Sequence, residues 1–219
     1  MKMAKRILSL ALVLVMVACM SVTVFATSEN PSVTVYATTG MFTLGGIDAN
    51  ENFVDQEFIG GNPAGYLIAN YEPFEATAED ISYGLNAYRE VYNSQLEASS
   101  PVNVLDAIIF SLDANSYTCT GGWDSYTGPN GDWIPGGYVH NVTGVRNYSG
   151  TVTVTSNALT KGGVSYDRYS GAGWKMMIKY PNGTYETPEH YGTYYPIVDG
   201  MEIIFDYSPY VIYDVHQGS

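Results

Sequence analysis

Two apolar runs near the C-terminus constrain the fold more than any other feature. The stretch Gly173–Ser208 opens with GWKMMIKYPNG, continues through a Tyr-rich, Pro-containing connection and ends in YYPIVDGMEIIFDYS. Trp174–Tyr180 and Met201–Tyr207 are rich in β-branched and aromatic residues and read as two strands that need each other. Pro181-Asn182-Gly183 closes the first run, because Asn-Gly supplies the positive φ of a tight turn, and Asp199-Gly200 precedes the second in a similar way. A chain built around such a pair needs a helix to cover it and further strands to extend it.

The upstream sequence offers both. Val33, Val35 and Ala37 alternate within Ser32–Leu44, which predicts a first strand, or a strand with a bend, broken by Gly45-Gly46. Phe53–Ile59 and Tyr66–Ala69 are short strand candidates. From Thr77 to Leu96, Ile81, Leu85, Tyr88, Tyr92 and Leu96 recur at helical spacing, with Thr77 as the cap and Glu79 and Asp80 in the first turn. Ser99-Ser100-Pro101 predicts a second helix start with Pro in the first turn. Val104, Leu105, Ile108, Ile109 and Leu112 give that helix a broad apolar face, so its expected role is core packing. Tyr138–Val145 and Thr151–Thr155 predict further strands, Lys161-Gly162-Gly163 a turn, and Tyr166–Gly173 a polar, Tyr-containing loop.

Residues 116–137 differ in character. Gly, Pro, Trp and Tyr crowd together, which predicts a long ordered loop, and aromatics do not favour disorder. Trp123, Tyr126 and Trp133, with Tyr138 just beyond, are the candidate ligand-binding residues, since aromatic rings give flat apolar area with polar edges. The competing reading folds these rings back over the core.

The first 26 residues read as a targeting segment. Lys2, Lys5 and Arg6 precede an apolar run from Ile7 to Met20, and Val24-Phe25-Ala26 has the small-residue pattern of a cleavage site. Removal after Ala26 leaves a single domain, 27–219, exported to the extracellular side. A lipoprotein box at Met16-Val17-Ala18-Cys19 is the rival; Met fits its first position poorly and apolar residues continue past Cys19. No later apolar run has membrane-spanning length, so no integral membrane segment is expected once the signal is gone. Without Cys19, Cys119 alone remains, which rules out an intramolecular disulfide and leaves Cys119 as a small hydrophobe with no base nearby in sequence.

Charge narrows the partners. A formal net charge of −13 argues against nucleic acid and against anionic membrane surfaces, and fits solubility outside a cell. Asp48, Asn50, Asn52, Asp55 and Glu57 are spaced somewhat like a calcium loop. Phe53 stands where the sharp turn needs Gly and Ile59 where a closing carboxylate is needed, so a solvated acidic turn is expected and no metal or cofactor. There is no nucleophile elbow, HExxH or phosphate-binding Gly loop, and His140, His190 and His216 are far apart. Sequons at Asn141, Asn147 and Asn182 matter only in a glycosylating source, and the signal has a bacterial look.

The order of these segments resembles the transcobalamin C-terminal-like family of secreted bacterial domains, related to the C-terminal domain of transcobalamin and intrinsic factor. The resemblance rests on the helix start Val102-Asn-Val-Leu-Asp-Ala-Ile108 and, more loosely, on Tyr138–Gly144. It rests most on the strands Gly173–Gly183 and Tyr195–Tyr207, where Pro181 is extra, Met201 replaces an acid and Phe205 replaces the usual Trp. It covers Ser32–Ser208, with large insertions near 45–100 and 146–170. It implies an α+β fold in which a β-grasp-like mixed sheet packs on one principal helix. It makes Trp174 a core residue of a diagnostic strand. The animal relatives use this domain as half of a cobalamin carrier, and their large helical half has no counterpart here.

Three functions stay open. The first is a non-catalytic binding module for a small molecule, a corrinoid among them, or for a glycan. The second is a cell-envelope interaction or adhesin domain without a pocket. The third is a hydrolase with spatially paired carboxylates. The oligomeric state is not readable from the sequence.

Overall fold

The computed structural model of the protein describes residues 29–83, 101–127, 133–188 and 192–216, with the side chains of 122–135 excluded. The targeting segment, the rival lipoprotein box, the predicted helix beyond 83 and His190 lie outside the described residues. Chain order gives strands β1 (Ser32–Thr39), β2 (Gly46–Ile47), β3 (Phe53–Val54) and β4 (Phe74–Thr77). Helix α1 starts at 78 and is described to 83; helix α2 is Val104–Ala114. Then come β5 (Thr118–Thr127), β6 (Trp133–Thr143), β7 (Tyr148–Ser149), β8 (Thr151–Lys161), β9 (Val164–Lys179), β10 (Tyr185–Glu186) and β11 (Met201–Val215).

The protein is mostly β, with a mixed sheet and two helices among the described residues. The main sheet has the order β10-β9-β11-β1-β4, with β8 also paired to β9. Strand β1 runs parallel to β11 from Val33↔Met201 to Thr39↔Tyr207, and every other pairing in this sheet is antiparallel. The two apolar runs do pair directly, as β9 and β11, from Glu202↔Lys179 to Val215↔Tyr166. Turn chemistry behaves as the residues dictate: Gly183 takes φ 83 after β9, and Gly162 and Gly163 take φ 59 and 81 between β8 and β9.

Helix α2 covers one face of this sheet. Val104, Leu105, Ile108, Ile109 and Leu112 are all buried against Val33, Val35, Ile178 and Ile203. The helix starts later than the proline suggests. Asn103 is the cap: its side chain accepts from the Asp106 N–H at 3.1 Å, and the Asp106 carboxyl accepts from the Asn103 N–H at 3.0 Å. The residues before it run extended instead, with Ile197 N–H donating to the Val102 carbonyl at 3.2 Å and Val104 N–H to Tyr195 at 2.9 Å. Thr77 caps α1 as expected, its hydroxyl accepting from the Asp80 N–H at 3.2 Å. The opposite face of the sheet carries a smaller cluster of Met41, Phe42, Met177 and Ile204.

Several expected loops are strands. Of residues 116–137, Thr118–Thr127 form β5 and 133–137 the start of β6, which pair from Thr118↔Thr143 to Thr127↔Trp133, and β7 completes a three-stranded sheet. Residues 166–173 belong to β9, held by β8 on one side and β11 on the other. In both places cross-strand backbone pairing decides the structure of a segment whose own residues lack strand periodicity. Other strands are shorter than expected. Between β1 and β4, the described residues form the short β2–β3 pair, the 3-10 turn Pro63–Gly65 and the isolated bridges Phe42↔Phe58 and Thr38↔Leu67.

Candidate functional site

The two sheets and α2 do not close completely on one another. A cleft of ≈ 340 Å³ lies between them, with Leu105 and Ile108 from α2, Gly137–Val139 from β6, and Trp174, Met176 and Phe205 from the main sheet. Thr187, Pro188 and Gly192 also border it. The last of these sits tight on the helix, since a Cβ there would lie 3.1 Å from the Leu105 backbone nitrogen.

Register builds the floor. Tyr207 pairs with Trp174 and Phe205 with Met176, which sets Phe205 diagonally across from Trp174. Their rings stack at 4.3 Å and 6°. Tyr148 of β7 meets the Trp174 ring edge-on at 5.8 Å and the Tyr207 ring edge-on at 5.4 Å. Two hydrogen bonds anchor the small sheet here: Tyr207 Oη donates to the Ser149 carbonyl at 2.5 Å and Trp174 Nε1 to the Tyr148 carbonyl at 3.4 Å. Burial raises the pKa of the Tyr207 hydroxyl, and burial followed by the neighbouring Tyr148 raises that of Tyr117, so both remain neutral donors at ordinary pH.

Lys175 borders the cleft, yet its ammonium does not enter it. Strand alternation turns Lys175 and Met177 to the opposite face from Trp174 and Met176. Lys175 Nζ lies 5.4 Å from the Phe42 ring centre, and its pKa is lowered by desolvation, against a smaller opposing pull from Asp55. Among the described residues the lining is therefore mostly apolar and aromatic, with hydroxyls from Tyr138 and Thr187. Such a cleft can take an apolar or ring face. Among the described residues no carboxylate lines it, and no group of three or more His, Cys, Asp or Glu side chains could hold a metal.

Of the four sequence-derived candidates, Tyr138 lies in this cleft and is 41% exposed. Trp123, Tyr126 and Trp133 sit on the same hairpin, opposite Gly137, Ile134 and Thr127, and their side chains lie outside the described residues. Trp174 packs against the core as expected and also borders the cleft. Phe205, Met176 and Leu105 were not read from the sequence as site residues. Their convergence is set by register and helix placement, and no local motif marks it.

A second hollow of ≈ 330 Å³ is lined by Tyr169, Tyr210, Ile212, Asp214, Val152 and Gln56, among others. Gln56 Nε2 donates to the Pro209 carbonyl at 2.7 Å and to Thr43 at 3.1 Å, while its Oε1 is buried without a partner. Cys119, on β5, is partly buried against the main core. No described helix is long and apolar enough to cross a membrane. Comparisons with protein-family models, with curated proteins and with solved structures find no match to this chain.

Proposed function

We propose that the protein is a secreted, non-catalytic binding module that seats one ring of its ligand in the cleft between α2, β6 and the Trp174–Phe205 stack. The observation that carries this is the lining by the described residues: mostly aromatic and aliphatic, with the partly exposed Tyr138 among them and the Lys175 ammonium turned to the other face of the sheet. Binding clefts for small molecules are built this way, and ≈ 340 Å³ sits near the lower end of their range of roughly 300–1,000 Å³. That volume suits a single sugar-sized ring. A corrinoid would place only an edge in it.

The finer fold reading belongs with this proposal. A parallel β1–β11 pair flanked by antiparallel β4 and β9, with α2 laid across one face, supports a β-grasp-like arrangement and the transcobalamin C-terminal-like relationship. Export with cleavage after Ala26 rests on the basic, apolar and small-residue order of the leader.

The test is a tryptophan-fluorescence titration with mono- and oligosaccharides and with cyanocobalamin as probes. At least one probe should bind saturably, and Tyr138→Ala should weaken it about tenfold without lowering Tm, because the ring is substantially exposed. An unchanged affinity in Tyr138→Ala, or no binding by any probe at millimolar concentration, overturns the reading.

A further inference from the structure

Among the described residues strand β8 has one unpaired edge: its one described strand partner is β9, and no described strand lies on its other side. Such an edge normally carries a charge, a proline or a bulge that blocks pairing with another chain. Here those devices sit at the far end. The register shifts between Thr155 and Leu159, where Asn157 takes φ 50, and Lys161 ends the strand. The first five residues, Thr151-Val152-Thr153-Val154-Thr155, have none of them.

These five residues read the same in both directions. Paired antiparallel with a second copy about Thr153, they set Thr153 opposite its own counterpart, Val152 opposite Val154 and Thr151 opposite Thr155. Each pair then lies on one face of the sheet. Such a self-complementary patch is what a two-fold interface requires. The valines are 60% and 51% exposed, unusual for β-branched apolar side chains with a neighbouring strand. They share a face with Tyr169 and Ile212 through the pairs Val154↔Tyr169 and Ile212↔Tyr169. Two copies would join these into one apolar stripe.

Charge favours the same place. The whole chain carries −13, so two copies repel over much of their surface. From Thr151 to Thr160 there is no charged residue, and on the neighbouring stretch of β9 the single acid and base, Asp167 and Arg168, cancel.

We infer that Thr151–Thr155 is a two-fold pairing edge through which a second copy of this chain joins the main sheet. Five residues make a smaller contact than a standard stable interface, so the dimer is weak and forms with rising concentration. This inference is independent of the ligand reading, since neither Thr153 nor Thr155 borders the cleft.

Sedimentation of the purified protein over a concentration series should show mass rising toward twice the monomer, and Thr153→Lys, which sets two like charges face to face, should hold it at the monomer mass. The register is tested by oxidation in a Cys119→Ser background. Thr153→Cys places two Cα atoms about 4.5–5.5 Å apart, within disulfide reach, whereas Thr151→Cys leaves its two copies about 14 Å apart. Thr153→Cys should cross-link to a dimer and Thr151→Cys should not. A monomer at every concentration, or equal cross-linking of the two variants, overturns the inference.

Discussion

Strands β9 and β11 form one continuous pair, yet its two halves live in different surroundings. In the lower half, Trp174–Lys179 against Glu202–Tyr207, side chains are buried on both faces, α2 covering Ile178 and Ile203 while Met41 and Phe42 cover Met177 and Ile204. In the upper half, Tyr166–Gly173 against Ser208–Val215, most residues are partly or largely exposed. There β8 supplies a third row of backbone hydrogen bonds in place of a core. The lower half is a strand pair because of what packs on it, and the upper half because of what pairs with it. Its stability should accordingly be more local.

The largest expected contrast comes from one substitution made in each half. Ile203 is 0% exposed and Ile212 is 45% exposed, on the same strand. Ile203→Ala should cost about 4 kcal/mol, in the range for fully buried isoleucine, and Ile212→Ala less than about 1 kcal/mol. Denaturant titration of both variants measures the difference directly. Comparable losses would mean that the upper half is as much a part of the core as the lower.

A smaller effect is expected where the lower half meets the chain leaving β1. Asp206 is 0% exposed, and its carboxyl accepts from Thr38 Oγ1 at 2.7 Å, from the Met41 N–H at 3.1 Å and from the Ser208 hydroxyl. It fixes the bend after Thr39 that lays Met41 and Phe42 on the sheet. Asp206→Asn keeps the shape but replaces an acceptor by a donor among donors. A loss of about 2 kcal/mol should follow, with the ring environment of Phe42 altered in NMR spectra. A neutral outcome would mean that the apolar cluster holds this bend without the polar one.

The same contrast explains what the sequence made legible. The lower strands were readable nearly to their limits, because Met177, Ile178, Ile203 and Ile204 must all be apolar to be buried on two faces. Helix α2 was equally plain, since all five residues of its predicted face are buried. Its start was misplaced at Pro101 because Asn103 and Asp106, three apart, are a capping box written without Ser, Thr or Glu. The upper half of β9 read as a loop because Asp167, Arg168 and Ser170 carry no burial signal, and the β5–β6 hairpin was hidden by its glycines in the same way. At the site, Tyr138 stood out as an aromatic residue just beyond an unusual stretch. The Trp174–Phe205 floor did not, because a diagonal stack exists only once the register of two distant strands is known.

The smallest effect separates the halves by pH. At the upper end Asp167 accepts from the Asn157 N–H at 2.8 Å and faces His216 Nδ1 at 2.8 Å, so one carboxylate ties the β8 bulge to the end of β11. The hydrogen bond to His216, followed by that from Asn157, lowers the Asp167 pKa below its ordinary 3.8. A carboxylate with a depressed folded pKa contributes stability above its unfolded value, and that contribution is lost as pH falls through the folded one. Protection of the Asn157 amide against hydrogen exchange should therefore be full at neutral pH and decline below 3.8, while that of Ile203 holds over the same interval. Asp167→Asn should lower Asn157 protection at neutral pH and remove the decline. If Ile203 lost protection in step with Asn157 as Asp167 titrated, the ladder would be opening as one unit, and the division between a packed half and a paired half would fail.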